Sequence, residues 1–306
     1  MIRLSVLVPT FDRPGLLRSC LASLADQDAA PDEFEIVVVD DGSGPAVARE
    51  VDRARERATN LVGVRLPENS GPATARNRAV AESSGRVVLF VDDDVVATPS
   101  LVRRHLEHHD GAGESLAVLG RVEWHPDLRV TAFMRWLDQS GLQFAYETWL
   151  REGPVEPPYA AFYTANLSMT RALFERGGGF DQRFPYAAYE DMELAWRLTP
   201  AGLRLDYRPD ALAYHGRGIT LTDFRRRMTR VGESAAVLAA LQPEFPLDDD
   251  GPVAGQRTAR RRAALAVLAR VAPWTSWREQ HYRAEVASAY LRGRRDRVPR
   301  RVARNT

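Results

Sequence analysis

Arg86-Val87-Val88-Leu89-Phe90-Val91-Asp92-Asp93-Asp94 joins an apolar, mostly β-branched run to three consecutive carboxylates. A short run of this kind, halted by polar turn residues, reads as a buried strand. The same pattern recurs on the N-terminal side. Leu4-Ser5-Val6-Leu7-Val8 stops at Pro9 and runs into Thr10-Phe11-Asp12, and Glu35 to Val39 ends in Asp40-Asp41-Gly42-Ser43. Val62 to Leu66 is a weaker strand. Helical spacing fills the gaps. Leu16, Leu17, Cys20, Leu21 and Leu24 share one face of a helix over 14–24, and 45–59 and 72–83 follow, with Pro72 suited to a first helical position. Repeated βα units with strands apolar on both sides predict an α/β fold, a mostly parallel sheet flanked by helices. Ligands of such sheets bind beyond the carboxyl ends of the strands. The turns at Pro9–Asp12, Asp40–Asp41 and Asp92–Asp94 are therefore expected to line one crevice.

Composition narrows the class. The 306 residues are 44% hydrophobic and 27% charged, an ordinary globular balance. The apolar run Ala263 to Ala269 is far shorter than the roughly 20 residues that span a bilayer. The opening apolar stretch is too short for a secretory signal, and Cys20 is the single cysteine, so the expectation is a cytoplasmic protein without disulfides. Every basic residue is Arg. Residues 1–256 hold 28 Arg against 38 acids, and residues 257–306 hold 14 Arg against 3 acids. That split sets the last fifty residues apart. The pattern turns helical from Thr222, which predicts two domains, 1–220 and a helical, Arg-rich extension over 221–306.

Three features carry chemistry. Asp92-Asp93-Asp94 at a strand end can offer oxygen ligands to a hard divalent cation. The alternative is a solvated acidic turn, the reading given to the second copy, Asp248-Asp249-Asp250, in a Pro-rich loop. Asp40-Asp41-Gly42-Ser43 suits either a hydrogen bond to a nucleoside or an ordinary Asx turn. Tyr189-Glu190-Asp191-Met192-Glu193 sets Asp191 near a helix N-terminus, where a carboxylate is either a stabilising charge or a general base. His215 follows another short apolar run and could join two carboxylates as a neutral ligand. The chain lacks G-x-G-x-x-G after its first strand, G-x-x-x-x-G-K-[ST] and G-x-S-x-G, which argues against dinucleotide dehydrogenases, P-loop NTPases and serine hydrolases of the elbow type. Eight aromatics crowd 133–163. They read mainly as core, with Trp136 and Tyr163 offered as acceptor platforms.

In this order, Val6 to Arg13, Val37 to Ser43, Asn69 to Asn77, Leu89 to Asp94, Gly178 to Asp181 and Glu190-Asp191 resemble the inverting glycosyltransferases of family 2, with the GT-A (Rossmann-like) fold. The resemblance covers residues 2–218. It implies a nucleoside-diphosphate sugar donor held by Pro9, Thr10, Phe11, Asp12, Asp40, Asp41, Arg76, Asp92 and Asp93, with Asp41 facing the base. It implies Mn²⁺ or Mg²⁺ on Asp92, Asp94 and His215, Asp191 as catalytic base, Glu190 beside the acceptor hydroxyl, and a lid over 216–222. Gln182 departs from the Glu common after Gly-Phe-Asp. Two other readings remain at this stage, a sugar-nucleotide nucleotidyltransferase and a silent sugar-nucleotide binding module. The basic segment around Arg257, Arg260, Arg261, Arg262 and Arg270 suits docking on the acidic remainder of the chain or peripheral contact with an anionic membrane at its inner face. Nucleic acid is not expected as a partner, and a homo-oligomer is left open.

Overall fold

The computed structural model describes residues 1–247 and 275–296. These fall into two compact units. The first comprises residues 1–130 and 144–218; the second comprises 131–143 and, after 218, the described parts of the C-terminal region. A helix within 131–143 thus belongs with the C-terminal helices, although the sequence had grouped it with the sheet. Asp248-Asp249-Asp250 and the Arg-flanked apolar run 257–270 lie outside the described residues.

The first unit is built on one sheet. Strands β1 (Leu4–Thr10), β2 (Phe34–Asp40), β3 (Leu61–Arg65) and β4 (Val87–Val91) pair in parallel in the order β3-β2-β1-β4. Helices α1 (Pro14–Ala25), α2 (Pro45–Arg57) and α3 (Pro72–Ala81) connect them, each with proline in its first turn. Strand alternation assigns the two faces. Leu4, Val6 and Val8 pack with α1, α2 and α4 (Leu101–His109), while Leu7, Val37 and Val39 pack with α3, α6 (Arg171–Arg176) and α7 (Glu190–Leu198). Burying both faces accounts for the near-continuous Val/Ile/Leu runs.

The remaining strands mix directions. β8 (Asn166–Thr170) runs antiparallel to both β4 and β6 (Leu116–Trp124), and β9 (Arg204–His215) lies parallel to β6. Short β5 (Val95–Ala97) and β7 (Gly153–Pro154) pair antiparallel with β9. One register matters most: Val95 lies opposite His215, which brings the imidazole next to Asp94 across 121 residues of chain.

Beneath this half sits a polar cluster. His105 Nδ1 and His109 Nε2 each lie 2.8 Å from Ser168 Oγ, and His105 Nε2 lies 2.9 Å from Asn166 Oδ1. Burial pushes His105 down to about 4 and His109 down to about 3, so both are neutral in the fold. An unfolded histidine titrates near 6.5. Below that pH the unfolded chain takes up protons that the native state refuses, so stability falls as pH is lowered from 6.5 towards 4. The two together are expected to remove on the order of 3 kcal/mol between pH 6.5 and 5. Urea midpoints across this range check the slope; His109→Gln should reduce it, and an unaltered slope would exclude His109 as a contributor.

The second unit holds α5 (Ala132–Ser140), α8 (Leu221–Leu241) and α9 (Thr275–Asp296). Phe133 meets Trp136, Phe224 and Tyr282 at ring centroid distances of 5.6, 5.9 and 5.1 Å. A capping box of Thr220 and Asp223 starts α8. Helices α8 and α9 touch backbone to backbone at Gly232 and Gly293. A β-carbon at either would collide with a carbonyl oxygen of the other helix, Tyr290 O or Thr229 O. Among the described residues no helix is long and apolar enough to cross a membrane.

Candidate active site at the strand ends

The turns after β1, β2 and β4 are stitched to one another. Asp12 takes a left-handed backbone (φ 49°), which aims its carboxylate at the β2 turn, where the Gly44 N–H donates to it at 2.9 Å. The Ser43 hydroxyl in turn accepts from the Asp12 N–H at 2.9 Å. Asp40 caps its own turn, accepting from Ser43 N–H at 2.8 Å, with Arg65 at 3.4 Å. Asp41 receives two backbone amides, Ser70 N–H at 2.7 Å and Gly71 N–H at 2.9 Å. Gly42 is fixed as glycine: φ is +79°, and a β-carbon would stand 2.5 Å from Glu68 backbone. Pro9 and Thr10 are buried at the end of β1, whereas Phe11 is 41% exposed on the turn. An exposed aromatic on a polar turn is a ready face for a planar ring.

The three aspartates after β4 go separate ways. Asp93 turns inward, accepting from Thr10 Oγ1 at 2.7 Å and pairing with Arg13 at 2.6 Å, and burial pushes it up to about 7. Asp94 faces Arg13 at 3.0 Å, Arg217 Nε at 2.9 Å and His215 Nε2 at 4.0 Å; against the penalty of burial, His215 and the two guanidiniums hold it down to about 2. Asp92 turns to Arg76 at 2.9 Å. The three candidate cation ligands therefore do not converge; among the described residues no group of three or more His, Cys, Asp or Glu side chains is placed to hold a metal.

The Asp94–His215 pair has the right chemistry for sharing a cation. His215 Nδ1 lies 3.1 Å from the Arg217 carbonyl, which can only accept, so Nδ1 carries the proton. Burial lowers the His215 pKa against the pull of Asp94, and the neutral form of the ring in this tautomer presents an Nε2 lone pair towards a carboxylate oxygen. Two acceptors that face each other with no proton between them are the pairing a divalent cation relieves.

On the other side of Asp92 lies the carboxylate pair at the start of α7. Arg76, 2% exposed, donates to Asp92 at 2.9 Å and to Glu190 at 2.6 Å. The guanidinium sits 5.9 Å from the Phe180 ring, and Phe180 is clamped by Asn77 in two reciprocal backbone bonds of 2.8 and 2.9 Å. Arg197 holds the Gly177–Gly179 carbonyls. The glycine run is thus a support for Arg76. Tyr189 precedes α7 in a left-handed conformation (φ 69°), a backbone cost of order 1–3 kcal/mol that fits a site whose aim is fixed by its surroundings. Asp191 accepts from Met192 N–H at 2.8 Å and Thr164 N–H at 3.4 Å, and burial raises its pKa despite Arg76. Glu190 is pushed up to about 7 by burial and by Asp191, again against Arg76.

Tyr163 adjoins this pair. Its ring lies 5.4 Å from Phe144, its hydroxyl donates to Ala160 O at 3.3 Å, and Asp191 adds to burial in raising its pKa. Trp136 is elsewhere: its ring is 3% exposed in the core of the helical unit against Phe133 and Tyr282. Its assignment as an acceptor platform gives way to the core reading. Sequence reasoning left out Arg13 and Arg217, which share Asp94; the signal was their position beside the Pro9–Asp12 turn and two residues after His215.

Comparisons with known proteins bear on the family and the fold. The family model described as glycosyl transferase family 2 matches residues 5–167. Validoxylamine A glucosyltransferase of Streptomyces hygroscopicus subsp. limoneus is 32% identical over 221 residues, 65% of this chain and 48% of that protein. The pre-mycofactocin glycosyltransferase of Mycobacterium tuberculosis (strain ATCC 25618 / H37Rv) is 30% identical over 246 residues, 78% of this chain and 48% of that one. The chain spans about half the length of these curated relatives. Among solved structures, the mannosyltransferase PcManGT of Pyrobaculum calidifontis, in complex with GDP-Man and Mn²⁺, superposes with a TM-score of 0.65 at 20% identity, covering 96% of this chain and 87% of that one. TarS 1–349 of Staphylococcus aureus in complex with UDP-GlcNAc gives 0.58 at 19%, covering 96% and 91%. At these identities the likeness establishes the GT-A fold. With the family match spanning more than half of its residues, this chain belongs to glycosyl transferase family 2.

Proposed function

We propose that the chain transfers a sugar from a nucleoside-diphosphate sugar to an acceptor hydroxyl, with inversion and with a divalent cation. The observation that carries this is the arrangement of charged side chains at the strand ends in two linked groups. Asp94, His215, Arg13 and Arg217 gather on one side and Glu190 and Asp191 on the other, joined through Arg76 and Asp92.

The donor nucleoside is assigned to the β1 and β2 turns, with Phe11 as its stacking face. Asp41 keeps its amide bonds to Ser70 and Gly71, so any contact it makes to the base uses its remaining lone pairs. Asp94 and His215 are the residues that would hold Mn²⁺ or Mg²⁺, with Asp92 bordering them. When bound, such a cation supplies Lewis-acid stabilisation of the charge gathering on the leaving diphosphate. Arg13 and Arg217 bring two guanidiniums to the same edge and orient the phosphates by charge-assisted hydrogen bonds. Asp191 removes the acceptor proton, while Glu190 and Tyr163 border the acceptor. Direct attack by that hydroxyl inverts the anomeric centre, so no protein nucleophile takes part.

Thermal shift against nucleoside diphosphates and sugar nucleotides, with and without Mn²⁺, tests the donor site. A native-state ligand raises the melting temperature by mass action. A Mn²⁺-dependent rise for one nucleotide family is expected; pyrophosphate release from a nucleoside triphosphate would instead make the chain a nucleotidyltransferase.

A further inference from the structure

A buried guanidinium, that of Arg76, joins the two groups of site carboxylates. Arg76 is 2% exposed, and both of its paired carboxylates belong to site elements: Asp92 after β4 and Glu190 at the start of α7. Glu190 Oε2 is buried and has no hydrogen-bond partner among the described residues. We propose that Arg76 is a relay that couples occupancy of the donor side to the Glu190–Asp191 carboxyl pair. This rests on the transferase reading of the site.

The argument is one of shared charge. A single guanidinium serves three carboxylates, Asp92, Glu190 and Asp191, all of which act on it electrostatically. Any ligand that neutralises or draws away Asp92 frees Arg76 to favour the ionised form of Glu190 and Asp191. By linkage, ionising that pair favours the donor-bound state in return. Protons held on Glu190 near neutral pH are then released when donor binds. The other groups facing the pair are fixed in role. Asp191 takes the Thr164 and Met192 amides, Tyr163 stays protonated, and Glu193 is neutralised by Arg197 on α7.

The test counts protons. Binding enthalpies of UDP or GDP with Mn²⁺, measured at pH 7 in two buffers of different ionisation enthalpy, give the protons released per nucleotide bound. Asp93, pushed up to about 7 beside Asp94, contributes protons of its own. The informative quantity is therefore the difference between wild type and Glu190→Gln. A lower release in Glu190→Gln is expected. In an Arg76→Lys background, whose ammonium is a single point charge without the planar fork, the Glu190→Gln difference should vanish. If Arg76→Lys does not fold, Asp92→Asn breaks the same link from the donor side and should abolish the difference equally. Equal release in wild type and Glu190→Gln, with nucleotide bound, would overturn the relay while leaving the transferase reading intact. A difference that persists in Arg76→Lys or Asp92→Asn would also overturn it. No binding of either nucleotide would overturn both.

Discussion

Asp191→Asn is expected to lower sugar transfer by about 10²- to 10⁴-fold, the usual contribution of a positioned general base, while nucleotide binding stays near wild type. The substitution is nearly isosteric. Its amide oxygen can keep the Met192 N–H, at 2.8 Å in the native site, and the longer Thr164 contact is the one given up. The loss should therefore be chemical, in kcat, with little change in fold. The pH profile carries a second signature. Burial raises the Asp191 pKa, so the acid limb of the wild-type profile should lie above the ordinary carboxylate range, with activity falling as pH drops through it. Near-wild-type turnover in Asp191→Asn would remove the base assignment.

Asp94→Ala should have an effect of the same order on cation binding, with opposite signs in two measurements. Residues that merely support metal ligands cost 10- to 100-fold when removed, so loss of the ligand carboxylate is expected to weaken Mn²⁺ by at least about 100-fold. The same change strips Arg13 and Arg217 of a partner held at 3.0 and 2.9 Å. Arg217, released, and Arg13, left with Asp93 alone at 2.6 Å, should then hold metal-free nucleotide at least as tightly as in wild type. Titration of UDP or GDP with and without Mn²⁺ separates the two effects. Unchanged Mn²⁺ affinity would refute the assignment of Asp94 as a ligand.

The sheet's parallel half was legible because its strands are buried on both faces and end in polar turns. Val87–Val91 and Phe34–Asp40 run straight into carboxylates, and proline opens each of the helices α1, α2 and α3 between the parallel strands. The other half was not. β6, β8 and β9 are separated by an irregular aromatic stretch, and their mixed pairing follows from long-range register, including a shift between Gly120 and Arg121. The site divided in the same way. Residues clustered along the chain, such as Asp92–Asp94 and Glu190–Asp191, stood out as motifs. Their partners did not: Arg76 and Glu190 are 114 residues apart, and Arg217 and Asp94 are 123 apart. Motif reading treated Arg76 as a donor contact, whereas burial makes it a bridge. Trp136 shows the converse limit, since aromatic crowding alone does not say which helix will cover a ring; Tyr282 on α9 does.

The most direct measurement follows the anomeric proton of a sugar nucleotide by NMR, with Mn²⁺ and the protein, using water as acceptor where no better one is known. The expected result is formation of the nucleoside diphosphate together with free sugar that first appears as the anomer opposite to the donor's, and loss of both in Asp191→Asn. Release of a nucleoside monophosphate, first appearance of the retained anomer, or the same turnover without Asp191 would contradict an inverting transferase that uses this crevice.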